Sequence, residues 1–131
     1  MHSKYLSFDI GLKHTGVATN SGGLAYPLTT LETVSYDTQL KEISLLINQQ
    51  QPQLVLFGLP SRGVARERVE QLISDLKQHY NQPIITQDET LSTMRAQALM
   101  RQANAGPKKR RIREHSVVAS SLLQDYLDGL G

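Results

Sequence analysis

The sequence predicts an α/β fold: three antiparallel strands, then strands alternating with helices, giving a five-stranded mixed sheet of three antiparallel plus two parallel strands flanked by helices. Three observations predict it. Strand-favouring runs at 4–9, 16–19 and 24–33 are separated by glycine-bearing turns. Leu54-Val55-Leu56-Phe57 is a continuous apolar run, as a central strand covered on both faces requires. Val69, Leu72, Ile73, Leu76 and Tyr80 fall at i, i+3, i+4, i+7 and i+11, the period of a helix with one buried face.

Each element follows in order. Gly11 breaks the first strand and Gly16-Val17-Ala18-Thr19 resumes an extended pattern, so β1 and β2 form a hairpin. Asn20-Ser21-Gly22-Gly23 turns the chain into a third strand, and Pro27, which has no N–H to donate, marks it as an edge strand. Asp37 is a plausible N-cap for a helix at 37–50, with Leu40, Ile43 and Ile47 at helical spacing until Pro52 stops it. The apolar strand at 54–57 ends in Gly58-Leu59-Pro60, and the second helix runs over 66–80. A short strand at 83–86 delivers Gln87-Asp88-Glu89-Thr90 at its C-terminal end, before a helix carrying Met94 and Ala98. Residues 104–111, with Gly106 and Pro107 ahead of Lys108-Lys109-Arg110-Arg111, read as a mobile basic loop, and a last helix covers about 112–128.

At 131 residues the chain fits one domain, 1–131, large enough to bury a core without metal or disulfide staples. The absence of cysteine excludes a disulfide framework, a thiolate zinc site and a catalytic thiol. No leader-like or transmembrane-length apolar segment stands out, so a cytoplasmic protein that does not engage membranes is expected. The net charge of +2 and pI near 9.0 point only weakly to nucleic acid, so the distribution of charge matters more than its sum.

Open sheets gather functional groups at the C-terminal ends of their strands. Asp9 closes the first strand, and Asp88 and Glu89 close the last; if those strands are neighbours, the carboxylates converge. Like charges held a few ångströms apart need a cation or a shared proton, which suggests a hard metal such as Mg²⁺ or Mn²⁺. Phosphodiester hydrolysis is the commonest use of such a site: the metal lowers the pKa of a bound water and neutralises phosphate oxygens, and a second ion ~4 Å away stabilises the leaving oxygen. The same residues have a plainer reading, in which Asp9 forms a turn and Asp88-Glu89 caps the following helix.

The run Lys108, Lys109, Arg110, Arg111 with Arg113 is suited to neutralising several phosphates, or is a solvated loop. Gly58-Leu59-Pro60-Ser61-Arg62-Gly63 offers backbone N–H groups and Arg62 to a phosphate at a helix start, although it is too short for a P-loop. In the last helix His115, Ala119, Leu122 and Tyr126 share one face, so His115 points to the core or its rim, and Glu114 is turned about 100° away. An inward histidine is ordinarily a satisfied buried side chain.

With these residues in place, the chain resembles the YqgF family, a group of pre-16S rRNA nucleases and Holliday junction resolvase-like proteins with an RNase H-like fold. The marks are Phe8-Asp9-Ile10-Gly11 with Lys13 and Gly16-Val17-Ala18, then Gly58-Leu59-Pro60, then Asp88-Glu89-Thr90-Leu91-Ser92-Thr93, which is similar to the family's D-E-R-L-T-T; the resemblance covers nearly the whole length. It implies a divalent-metal nuclease with Asp9 as the central ligand, Glu89 as the second and Asp88 as a ligand or its support. Two departures stand out. Thr90 occupies the place of an expected Arg, which leaves Arg95 or the basic run to supply that cation. His115, before Ser116, occupies the place of an expected Asp in the last helix, so the third carboxylate is absent. His115 is then a metal ligand better suited to Mn²⁺ than to Mg²⁺, or a general acid or base.

The function expected is therefore a divalent-metal-dependent endonuclease acting in pre-16S rRNA 5′-end processing, part of ribosome biogenesis, with branched DNA as the alternative substrate. Lys13, Arg62, Arg95 and the basic run would hold phosphates. The main rival is a nucleic-acid-binding protein weakened in catalysis by His115. A nucleotide-binding ATPase of the sugar kinase and actin-like kind is disfavoured by length. With no Trp and few other aromatics, recognition by shape and backbone is expected rather than base stacking. A resolvase acting symmetrically needs a dimer, whereas an RNA-trimming enzyme works alone, so monomer or weak homodimer is expected.

Overall fold

The structure, a computed structural model, describes residues 3–88 and 107–130. In chain order the elements are β1 (Tyr5–Ile10), β2 (His14–Ser21), β3 (Leu24–Glu32), α1 (Tyr36–Gln50), β4 (Leu54–Leu59), α2 (Val64–Lys77), β5 (Ile84–Asp88) and α3 (Pro107–Gly129). The sheet order is β3-β2-β1-β4-β5. β1 pairs antiparallel with β2, and β2 with β3, while β1–β4 and β4–β5 are parallel. This is the expected mixed five-stranded sheet. β4, however, lies between β1 and β5, so the strands that end in Asp9 and Asp88 are not direct neighbours.

Alternation along the strands sorts the core into two layers. Leu6, Phe8 and Ile10 of β1, Val17 of β2, and Val55 and Phe57 of β4 pack with Ile43, Ile47, Val69, Leu72 and Leu76 of α1 and α2. Phe8 and Phe57, level with each other in adjacent strands, stack with centroids 5.2 Å apart. On the other face, Leu56 packs with Val118, Leu122, Leu123 and Leu127 of α3. Ser7 and Asp9, the alternate positions of β1, therefore look toward α3. Pro27 lies in edge strand β3, where the pairing with β2 is irregular at Val17/Ala18. An edge position tolerates both the missing donor and the bulge.

Several boundaries differ from expectation for identifiable reasons. The N-cap of α1 is Ser35, whose extended backbone lets its hydroxyl accept from the Thr38 N–H at 3.2 Å. Asp37 falls inside the first turn, where its charge favours the helix N-terminus instead. α2 stops at Lys77, and Tyr80 returns to α1 with its hydroxyl donating to the Ser44 carbonyl at 3.1 Å. α3 begins at Pro107 rather than about 112, so Lys108, Lys109, Arg110 and Arg111 lie on helical backbone and not in a loop. Proline suits the first helical position because its missing N–H would have no partner there, and Lys and Arg are good helix formers. The expected helix around Met94 and Ala98 lies outside the described residues. Among the described residues no helix is long and apolar enough to cross a membrane.

Candidate functional site

β1 carries Asp9 almost to the sheet's C-terminal edge with only 5% of its surface exposed. From the far end of the chain, α3 sets His115 against it: Nδ1 lies 2.5 Å from Asp9 Oδ2, across 106 residues of sequence. Two glycines permit this approach. Gly16 is level with Asp9 on β2, and a Cβ there would lie 1.9 Å from the His115 carbonyl carbon and 2.1 Å from its oxygen. Gly11 underlies the imidazole, and a Cβ there would lie 2.8 Å from Cε1 and 3.0 Å from Nε2 of His115. The glycines of the D-x-G and G-V-A signature thus bring the last helix onto the first hairpin.

His115 has its pKa raised from its ordinary value of 6.5, first by the hydrogen bond to Asp9 and then by the charges of Asp9 and Glu114, against the opposing effect of burial. A folded-state pKa raised above the unfolded value contributes stability that is fully present below about 6.5 and is lost as pH rises through the raised value. His115→Gln is accordingly expected to lower Tm most at about pH 6, with the gap from wild type closing at higher pH. Thermal melts of both proteins across that range check the sign, and a gap that widens with pH would contradict the ion pair.

Asp88 is placed differently. One residue beyond the level pair Phe8 and Phe57, Asp9 falls level with Gly58, which is level with Gln87; Asp88 is level with Leu59. Alternation then puts Gln87 on the α3 face with Asp9, and Gln87 Nε2 donates to the Leu122 carbonyl there at 3.3 Å. Asp88 takes the opposite side of the strand and is exposed. The structure brings together Asp9 and His115 and leaves Asp88 out of that pair. Glu89 and Arg95 lie outside the described residues.

The candidate phosphate contacts spread around the same edge of the sheet. Lys13 is exposed in the β1–β2 turn, where its carbonyl accepts from the Thr33 N–H at 2.8 Å. Arg62 is exposed between β4 and α2, beside Gly63, whose positive φ of 91° lets it precede the helix without a side-chain cap. Arg113 is exposed on α3, two residues before His115. Lys108, Lys109, Arg110 and Arg111 lie on its preceding turns.

Two neighbours were not singled out from the sequence. The His14 ring lies nearly parallel to that of His115, at 22° and 6.3 Å between centroids. Gln39 is fully buried beneath the hairpin. Its signal was a polar residue in register with Ile43 and Ile47 on the core face of α1.

As a seat for a divalent ion, the site offers a nearly buried carboxylate and an imidazole facing it. That donor pair fits a cation of hard to borderline character. Among the described residues no group of three His, Asp or Glu side chains is arranged to hold one.

A family model described as RuvX, Holliday junction resolvase, matches residues 3–129. A Roseiflexus sp. (strain RS-1) protein named "Putative pre-16S rRNA nuclease" is 35% identical over 132 residues, covering 95% of this chain and 94% of its own. A protein of the same name from Thiobacillus denitrificans is 31% identical, covering 97% and 92%. Among solved structures, Thermus thermophilus RuvC in complex with a Holliday junction substrate superposes with a TM-score of 0.66 at 12% identity, covering 98% of this chain and 95% of its own. Fowlpox virus resolvase in complex with substrate Holliday junction DNA gives 0.65 at 13%, covering 97% and 98%. At these identities the structural matches establish the fold, which is RNase H-like.

Proposed function

The chain belongs to the RuvX family of Holliday junction resolvases, and on that premise we propose that it is a divalent-metal-dependent endonuclease that hydrolyses phosphodiester bonds at the Asp9 site. One observation carries the reading: a nearly buried carboxylate at the end of the central strand β1, met by His115 from α3. A buried carboxylate that only formed a turn would need no such partner.

Asp9, Glu89 and His115 are the residues that would hold the ion, whereas Asp88, on the opposite side of β5, stands outside that set. Bound there, a divalent ion supplies a water of lowered pKa and neutralises phosphate oxygens. Asp9 fixes the orientation of His115 through Nδ1, which leaves Nε2 as the atom able to pass a proton to the leaving oxygen; ligation of the ion by His115 beside Asp9 would take the place of that hydrogen bond. Lys13, Arg62, Arg95 and the basic turns of α3 ending in Arg113 hold the backbone of the substrate, so binding falls steeply with salt. The relatives named for pre-16S rRNA favour that precursor as the substrate class; within the proposal, the cut is at its 5′ end, in the cytoplasm, by a monomer or weak homodimer. Branched DNA is the substrate to test beside it, on the strength of the family description.

A cleavage assay on a labelled precursor rRNA end and a four-way DNA junction tests the reading. The expected result is metal-dependent cutting of one of them. Mn²⁺ is expected to support a higher rate than Mg²⁺, because imidazole is the softer ligand; equal or faster cutting with Mg²⁺ would argue against ligation by His115. A second reading, a nucleic-acid-binding protein of low catalytic power, is favoured by the imidazole that stands against Asp9. Tight binding without cutting in either metal would select it.

A further inference from the structure

Gln39 has no exposed surface, and burying an amide is costly unless its donors and acceptor are met. Here they are met by two different elements. Nε2 donates to the Gly11 carbonyl at 3.0 Å and to Thr15 Oγ1 at 2.8 Å, both on the β1–β2 hairpin. Oε1 accepts from Arg68 Nη1 of α2 at 2.8 Å. A guanidinium can only donate, so Arg68 decides which end of the amide faces which way: oxygen toward α2, NH₂ toward Gly11. Arg68 is itself braced, with its guanidinium carbon 5.4 Å from the centre of the Tyr36 ring. The Tyr36 hydroxyl in turn bonds Asp75, back on α2.

The opposite side of Gly11 carries the His115 ring, close enough that a Cβ would meet both Cε1 and Nε2. Gly11 is therefore a single layer of backbone with the Gln39 amide on one side and the imidazole that touches Asp9 on the other. We infer that Gln39, oriented by Arg68, is a positioning residue for the Asp9–His115 pair: by holding the Gly11 carbonyl it sets the level of the hairpin on which the His115 ring rests. A packing role alone would not need an amide, since Leu or Met fills a similar volume without desolvating polar atoms. The inference rests on the reading of Asp9 and His115 as the nuclease site.

Gln39→Glu separates the two roles. The carboxylate keeps Arg68 as partner, which holds it ionised, and accepts the Thr15 hydroxyl proton. Toward Gly11 it presents an oxygen to an oxygen, and the contact becomes repulsive. The experiment measures kcat and KM for metal-dependent cleavage, the ¹⁵N resonances of the His115 ring at one fixed pH, and Tm. The expected result is a kcat lower by about tenfold, an unchanged KM and displaced His115 resonances. Arg68→Met removes the donor that orients the amide, and is expected to displace the same resonances in the same direction by a smaller amount. Wild-type kcat with unmoved His115 resonances in Gln39→Glu would overturn the inference, as would a loss of kcat with no displacement of the ring. If the wild type cuts nothing, the nuclease reading fails and the resonances alone decide the positioning role. Should Gln39→Glu not fold, Gln39→Met, which leaves the carbonyl unpartnered but not repelled, decides by the same resonances.

Discussion

Asp9→Asn is expected to reduce the rate of metal-dependent cleavage by about 10³-fold or more, equivalent to ~4 kcal/mol of barrier, while nucleic-acid affinity stays within about threefold. The substitution is isosteric, and an amide oxygen can still accept from His115 Nδ1, so the packing of α3 on the sheet is retained. What disappears is the one negative charge that the described residues bury at this edge and face with a histidine. An ion would lose its central ligand, and His115 would lose the charge that raises its pKa. Affinity is spared because the substitution leaves the exposed cations, Lys13, Arg62 and Arg113, in place, and these supply the salt-dependent part of binding. Single-turnover cleavage and filter binding at fixed salt measure the two quantities separately. Retention of more than about a tenth of the wild-type rate would remove Asp9 from the metal-binding role.

Why the sequence showed one half of this site and concealed the other follows from the range of the forces involved. Strand alternation and the 3.6-residue period are local, so β1, β4 and the face of α2 could be read from a few adjacent residues. The pairing of β4 between β1 and β5 is not local, and with it goes the level of Asp88: a shift of one position along β5 moves its side chain from the α3 face to the other. His115 lay on the apolar face with Ala119 and Leu122, which would suit an inert buried histidine equally well. Only the family motif gave its slot, and the contact with Asp9 spans most of the chain. The basic run was misread because charge density argues for solvation, whereas helix propensity, which Lys and Arg possess, sets the backbone. Gln39 illustrates the converse case: a polar residue on a core face is a visible anomaly, but its three partners come from a hairpin and a second helix that no periodicity connects.

Gly16→Ala should be the most damaging single-methyl change in the hairpin, lowering stability by about 3 kcal/mol or more and Tm by on the order of 10 °C. The added Cβ would sit 1.9 Å from the His115 carbonyl carbon, 2.1 Å from its oxygen and 2.3 Å from the Ser116 nitrogen. All three are backbone atoms of a helix, so no rotamer change relieves the overlap. Ordinary contact requires α3 to move away by more than an ångström, and among the described residues α3 is the helix that covers that face of the sheet, with Val118, Leu122, Leu123 and Leu127 seated on Leu56. Moving it opens the core there and withdraws His115 from Asp9 at the same time. Gly22 offers the contrast, since a Cβ there meets nothing within 4 Å and its cost is limited to a φ of +57°. Gly22→Ala is therefore the matched control, with a loss of ~1 kcal/mol. Thermal melts of the two variants beside wild type decide the matter: a Gly16→Ala protein that melts with the Gly22→Ala control would mean that α3 does not approach β2 this closely, and the Asp9–His115 pair would then lose its structural basis.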